Sequence, residues 1–251
     1  MQTKFINQIE PLITNKDKKN IIEYLNTGGW ITEHSQNKLF EEKFKKITNS
    51  KYAITFPNGT LTLYGILLSL NIKKGDEIII PSYTMVATAN SVILTGARVI
   101  FCDISSENLC LDPIKLKEKI TKKTKAVIYV TLNGRSGYID QIKNICKKKK
   151  LFMIEDSAHS IGSFYKKKHH GNFSIASSFS FSMPKIVTTG QGGMIVTNNK
   201  SIYNKIKSLK NFGRKSDGND IYKAIGYNFK FTDLQAALGI SQLETVKNRV
   251  L

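Results

Sequence analysis

Phe179-Ser180-Phe181-Ser182-Met183-Pro184-Lys185-Ile186-Val187-Thr188-Thr189-Gly190-Gln191-Gly192-Gly193 places one amine among hydroxyls and ahead of a glycine-rich turn. From Ser174 to Phe181 small or polar residues alternate with apolar ones, as in a buried strand, and strand character resumes from Met194 to Thr197. Lys185 therefore falls in the connection between two core strands. That link is too short for a crossover helix, so one of the two strands is expected to run antiparallel. A lysine held near such a core loses hydration, its pKa falls, and the neutral form that attacks a carbonyl becomes populated. The competing reading is a solvated loop lysine, one of many in this chain.

Upstream, Leu151-Phe152-Met153-Ile154-Glu155-Asp156-Ser157-Ala158-His159-Ser160 is a four-residue apolar run ending abruptly in two carboxylates. In an open parallel sheet ligands collect at the carboxyl edge of the strands, so Asp156 and His159 are delivered to the rim that receives Lys185. Asp156 or Ser157 could equally serve as a helix N-cap, and His159 as a hydrogen-bonded structural residue. Further upstream, the strand Tyr52 to Phe56 turns through Asn58-Gly59-Thr60 into a helix. The first amides of a helix lack intrahelical acceptors and carry the positive end of its dipole, while glycine permits close approach, so this turn is a candidate phosphate site. It lacks the spacing of a P-loop or a dinucleotide fingerprint, and a plain cap is the alternative.

The elements alternate. After an N-terminal helical segment to Ile47 come strand Tyr52 to Phe56, helix Thr60 to Leu70, strand Glu77 to Pro81, helix Met85 to Leu94, strand Arg98 to Cys102 and helix Pro113 to Ile120. Strand Ala126 to Thr131, helix Ile139 to Lys149, strand Leu151 to Glu155, and strands Ala176 to Phe181 and Met194 to Thr197 complete the order. Repeated βα units imply an α/β fold, a mainly parallel, mixed sheet with helices on both faces.

A reactive lysine, a strand-end aspartate and a phosphate-cradling helix start are what pyridoxal phosphate demands. The chain resembles the nucleotide-sugar aminotransferases of the DegT type, pyridoxal-phosphate enzymes of fold type I, from about Gly28 to its last residue. The resemblance rests on colinear motifs. They are Gly29-Trp30-Ile31-Thr32, Asn58-Gly59-Thr60, the stretch from Gly75 to Asn90, Gly96-Ala97 and the turn Asn133-Gly134-Arg135-Ser136-Gly137. Glu155-Asp156-Ser157-Ala158-His159, the lysine segment and the run from Gly226 to Gly239 follow. It implies Lys185 as the Schiff-base lysine and proton-moving base, Asp156 as the partner of the pyridine nitrogen, and His159 against the cofactor face or its phenolic oxygen. Ser180 with the amides of Gly59 and Thr60, beside Asn58, would hold the phosphate. Met85 would lie on the cofactor, and Asn228 would reach the phosphate in a neighbouring subunit, making the enzyme a homodimer with shared sites. The activity implied is transfer of the amino group of glutamate to a keto sugar on a nucleotide diphosphate, with the 4-keto-6-deoxy class favoured, for surface polysaccharide or lipopolysaccharide.

Several positions depart from the family pattern. Met85 stands where an aromatic ring usually stacks, Lys230 replaces an arginine and Gln191 a glutamate. Related sugar dehydratases carry a histidine at the Lys185 position, so the retained lysine favours aminotransfer. The resemblance also divides the chain into residues 1–48, an N-terminal helical segment, residues 49–240, the cofactor-binding large domain, and residues 241–251, the start of a helix leading to a C-terminal domain missing here.

With 251 residues and 41% apolar content the chain is long enough for one domain with a proper core. It shows no membrane span or signal peptide, and a cytoplasmic location is expected. Cys102, Cys110 and Cys146 read as reduced thiols, no metal site is read, and His169-His170 look like a solvated lysine-rich hairpin. The net charge of +19 comes from lysines spread along the chain without a nucleic-acid recognition motif, which reads as solvated surface. Two rival readings accompany the aminotransferase: a non-catalytic cofactor-binding remnant, and a basic nucleic-acid-binding protein.

Overall fold

The computed structural model of the chain describes residue 5 and residues 10–214 and 220–250. Strands β1 (Tyr52–Phe56), β2 (Glu77–Pro81), β3 (Arg98–Cys102), β4 (Thr124–Val130), β5 (Phe152–Asp156), β8 (Ala176–Ser180) and β9 (Gly193–Thr197) form one sheet. Its order is β1-β9-β8-β5-β4-β2-β3, and β6 (Phe164–Tyr165) pairs with β7 (Lys168–His169) as a separate hairpin. The pairs β2 with β3, β2 with β4, β4 with β5 and β5 with β8 are parallel. β9 alone is reversed, antiparallel to both β8 and β1, as the short link between β8 and β9 requires. Two reversals restore the direction, so β1 points the same way as β8. Every strand of this sheet except β9 therefore ends at one rim.

Helices α1 (Asn15–Asn26), α2 (Ser35–Thr48), α3 (Gly59–Ser69), α4 (Val86–Ile93), α5 (Pro113–Lys119), α6 (Ile139–Lys149), α7 (Lys200–Lys210), α8 (Asp233–Glu244) and α9 (Val246–Val250) cover the sheet. The period-2 alternation of the strands sorts them between the faces. Ala126, Ile128 and Val130 of β4 join Leu63, Ile66 and Leu67 of α3 and Val92 of α4. Val127 and Tyr129 point the other way, onto Leu116 of α5 and Ile139 and Ile142 of α6. Beside α5 and α6, Phe40 and Phe44 of α2 pack with Phe179, Phe181, Phe231 and Ile240 in a third cluster.

The N-terminal segment resolves into two helices that are tied to α8. Thr14 and Asp17 form a capping box at the start of α1, and Gln242 donates to Asp17 Oδ2 at 2.8 Å. No side chain of its own caps α2. The buried carboxylate of Asp233 does so from α8, accepting from the amides of His34 (2.7 Å), Gln36 (2.9 Å) and Asn37 (3.0 Å). Residues 241–244 complete α8, Thr245 ends it, and Leu251 lies outside the described residues.

Two features differ from the expectations. The hairpin of His169 and His170 forms, but neither ring is solvated: both are buried, at 3% and 0% exposure. Burial is possible because the rings are hydrogen-bonded, Gly162 N donating to His169 Nε2 at 2.9 Å and Ser136 Oγ lying 3.0 Å from His170 Nε2. The lysine runs are exposed or half-buried, as a solvated surface requires, whereas Lys210 is 3% exposed and bonds Glu33 Oε2 at 2.6 Å and Thr55 Oγ1 at 2.9 Å. The three cysteines are free and buried. No helix among the described residues is long and apolar enough to cross a membrane.

Candidate active site

At the common rim lies a cavity of about 320 Å³, walled by the residues that leave successive strands. Asn58, Gly59 and Thr60 follow β1, Thr84 and Met85 follow β2, and Leu132 follows β4. Asp156 ends β5 with His159 three residues on, Ser180 ends β8, and Lys185 and Gln191 come from the link between β8 and β9. The residues singled out in the sequence are thus brought together, with Asn228 the exception. Asn228 is exposed, bridges Asn211, and does not line this cavity.

Asp156 is 7% exposed and receives Thr88 Oγ1 at Oδ2 (2.8 Å) and the amide of Ala158 at Oδ1 (3.3 Å). Burial pushes its carboxyl above the ordinary aspartate range, against the pull of those two donors and of the His159 and Lys185 charges. Among the described residues no cation is within ion-pairing distance of it. Lys185 is half-buried, and its desolvation holds the amine below the ordinary lysine range, Asp156 acting in the opposite sense. Burial, followed by the nearby Lys185 charge, likewise lowers His159. Its Nδ1 accepts the amide of Asn133 at 3.3 Å, which leaves the ring proton on Nε2.

The opposite end of the cavity is built from main chain. Asn58 caps α3 by accepting from Leu61 N at 2.9 Å, and the amides of Gly59 and Thr60 have no acceptor among the described residues. Ser180 lies directly against Gly59, where an added Cβ would sit 2.9 Å from Ser180 Cβ and 3.2 Å from its Oγ. Ser182 adds a second hydroxyl, 3.3 Å from Ser180 Oγ. Two free amides and two hydroxyls beside a helix N-terminus make a seat for a compact anion.

Of the departures, Met85 stands at the mouth, 66% exposed. The carbonyl of Gln191 is fixed by Thr189 Oγ1 and Gln235 Nε2, each at 2.7 Å. Lys230 is exposed, with Nζ 5.5 Å from the Phe212 ring centre.

Thr88 is the residue that sequence reasoning passed over. It stands in the first turn of α4, one turn beyond Thr84, whose hydroxyl it meets at 2.9 Å. Hydrogen bonds to charged groups contribute about 1.5–3 kcal/mol. Thr88→Val keeps the shape and removes the donor, so the Asp156 carboxyl should titrate at still higher pH. Carbon-13 NMR of the carboxyl would detect this, and an unmoved Asp156 titration would show that the hydroxyl does not stabilise its charge.

The architecture matches solved structures of pyridoxal-phosphate-dependent aminotransferases of fold type I. Helicobacter pylori PseC, an aminotransferase involved in the biosynthesis of pseudoaminic acid, superposes with a TM-score of 0.91 at 33% identity, over 98% of this chain and 67% of that one. Spr1654 of Streptococcus pneumoniae, solved in a PLP form, gives 0.91 at 27% identity, over 97% of this chain and 67% of that one. The chain belongs to the DegT/DnrJ/EryC1/StrS aminotransferase family, whose model matches residues 11–251. GDP-perosamine synthase of Escherichia coli O157:H7 is 39% identical over 241 residues, 96% of this chain and 66% of that enzyme. The chain spans about two thirds of the length of the curated relatives it matches.

Proposed function

We propose that this chain is the cofactor-binding part of a pyridoxal-phosphate-dependent aminotransferase that moves an amino group from glutamate to a nucleotide-linked keto sugar. The observation that carries the reading is one cavity holding a desolvated lysine, a buried carboxylate with no ion-pair partner among the described residues, and an open anion seat. These match the aldehyde, the ring nitrogen and the phosphate of the cofactor. When bound, pyridoxal phosphate supplies a carbonyl that condenses with amines and a protonated ring that withdraws electrons.

The residues of the chain do the rest. Lys185 Nζ is the nucleophile and the base that carries a proton at the reacting carbon. Asp156 holds the proton on the pyridine nitrogen, because an ionised carboxylate favours a cation beside it. Gly59, Thr60, Ser180 and Ser182 fix the phosphate, and Asn58 keeps the α3 start open by capping it with its side chain rather than with a ligand. His159 and Met85, both lining the cavity, would contact the cofactor, His159 through its ring and Met85 by packing from the mouth. Asn228, exposed and outside its own cavity, serves the site of a second copy in a homodimer.

The names of the relatives support an amino-sugar product: GDP-perosamine in several of them supports a nucleotide-linked 4-keto-6-deoxyhexose as acceptor, and a spore coat polysaccharide biosynthesis protein of Bacillus subtilis supports surface polysaccharide, with lipopolysaccharide beside it, as the destination. The division into a helical segment (1–48), a large domain (49–240) and an outgoing segment (241–251) belongs to the same proposal. The test is to load the chain with pyridoxal phosphate, add glutamate, and measure 2-oxoglutarate. A yield equal to the bound cofactor is expected, followed by amination of GDP- or UDP-linked 4-keto-6-deoxyhexoses. Cofactor that stays bound yet yields no 2-oxoglutarate would favour the non-catalytic remnant.

Gly59→Ala tests the anion seat. The new methyl must push Ser180 and α3 apart, and overpacking of this kind costs about 1–3 kcal/mol. Pyridoxal phosphate affinity should fall roughly tenfold or more. Titration by absorbance would measure it, and unchanged affinity would place the phosphate elsewhere.

A further inference from the structure

We infer that His170, which lines no part of the cavity, is a positioning residue for His159 and acts through the turn of residues 133–137. The inference concerns how His159 is oriented, and its catalytic meaning rests on the aminotransferase reading.

The turn is held in an unfavourable shape. Asn133 has φ 52°, Gly134 φ 76° and Gly137 φ 40°. Non-glycine residues in the left-handed region persist where their surroundings over-determine them. The surroundings here are specific. A Cβ on Gly137 would lie 2.5 Å from Cys110 Cβ, and the carbonyl of Ser136 accepts from Tyr129 Oη and, at 3.1 Å, from Ile139 N. These contacts seat the main chain at the far end of the turn.

The side chain of Ser136 is seated by His170, whose Nε2 lies 3.0 Å from Ser136 Oγ. The other ring nitrogen, Nδ1, faces Glu155 Oε1 at 3.5 Å, an ion-pair distance, with both side chains fully buried. Glu155 is itself buried and hydrogen-bonded. It accepts the amides of Gly171 (2.9 Å) and Phe173 (2.8 Å) and the hydroxyl of Ser177 (3.1 Å). Burial works against its charge, yet the donors of His170, Gly171 and Phe173 hold it below the ordinary glutamate range, so it stays an acceptor. A proton on Nδ1 satisfies that acceptor and leaves Nε2 for Ser136.

The near end of the turn delivers the consequence. Asn133 is in the left-handed conformation when its amide reaches His159 Nδ1. That donor selects the His159 tautomer with its proton on Nε2, the nitrogen without a partner among the described residues. A relaxed turn would withdraw the amide, and both tautomers would then be populated.

The experiment is nitrogen-15 NMR of the four histidine rings in the protein without cofactor, with His159 assigned from a His159→Gln variant. Wild type should show one His159 tautomer, unprotonated at Nδ1. His170→Phe, of similar size but unable to bond Ser136, should show averaged His159 shifts, and His170→Gln, which keeps a donor and an acceptor, should restore the single tautomer. A folded His170→Phe protein with the wild-type His159 pattern overturns the inference. Should that variant fail to fold, Ser136→Ala removes the same link from a half-buried position, and an unchanged His159 pattern there overturns it equally. No cofactor enters the measurement, so failure of the aminotransferase reading is distinguishable from failure of this one.

Discussion

Replacing Lys185 with alanine should abolish covalent capture of pyridoxal phosphate and, with it, all production of 2-oxoglutarate from glutamate. Other lysines are numerous in this chain of 38 basic side chains, so capture at Lys185 must be explained by what distinguishes it. Its amine is desolvated, which populates the neutral nucleophile, and it shares a cavity with the anion seat, which holds the aldehyde nearby. A fully solvated lysine has neither advantage. The sign of the pH dependence follows. Because the Lys185 pKa lies below the ordinary lysine range, the capture rate should rise with pH and level off before ordinary lysines begin to lose their protons. Truncation in a strand-to-strand link removes little packing, and the thermal midpoint should move by no more than about 2–4 °C. Borohydride reduction followed by peptide mapping reads the result directly. Cofactor recovered on a peptide with another lysine would sink the assignment, as would undiminished capture by Lys185→Ala.

Asp156 was legible because it closes a short apolar run at the place where a strand must end, and Lys185 because it stands among hydroxyls in the link between two strand-like segments. A parallel sheet then collects such ends at one rim, whatever the intervening chain does. The antiparallel β9 was legible for a similar local reason, the absence of a helix-length link after Ser180. Features that depend on distant partners were not. The capping of α2 by Asp233 joins residues 196 positions apart in the case of Asn37, and no local pattern marks it. Thr88 meets Asp156 across 68 residues, and a threonine in a first helical turn has many ordinary uses. His169 and His170 were misread because flanking lysines dominate the local composition, whereas the hairpin folds its two rings inward and leaves the lysines outside. Lys210 did leave a trace. It follows Ile202 and Ile206 at intervals of four, on the buried stripe of α7, where an apolar residue would be expected. A charge on such a stripe asks for a partner of opposite sign, and the half-buried Glu33 is that partner.

Asp156→Asn should leave pyridoxal phosphate bound while turnover falls by roughly a hundredfold to a few thousandfold, the kinetic equivalent of about 3–5 kcal/mol for the loss of one partner of a buried charge pair. The amide fills the same space, with its oxygen able to accept from Ala158 N and its nitrogen able to donate to the Thr88 hydroxyl oxygen, so the geometry survives. What it lacks is charge. In the free protein burial raises the Asp156 pKa, which means that the ionised form is maintained at some cost and that a cation entering the cavity would relieve it. The consequence has a definite sign. As pH falls through this raised pKa the carboxylate of the free protein is protonated and its hold on an entering cation is lost, so cofactor binding by the wild type should weaken along an acid limb that begins above the ordinary aspartate range. Asparagine cannot be protonated there, so the variant should be slow at every pH and its cofactor binding should lack that limb. A uniform loss with the limb retained would assign it to another group. Near-normal conversion of glutamate by Asp156→Asn would go further, because a ring nitrogen that needs no carboxylate must lie elsewhere in the cavity.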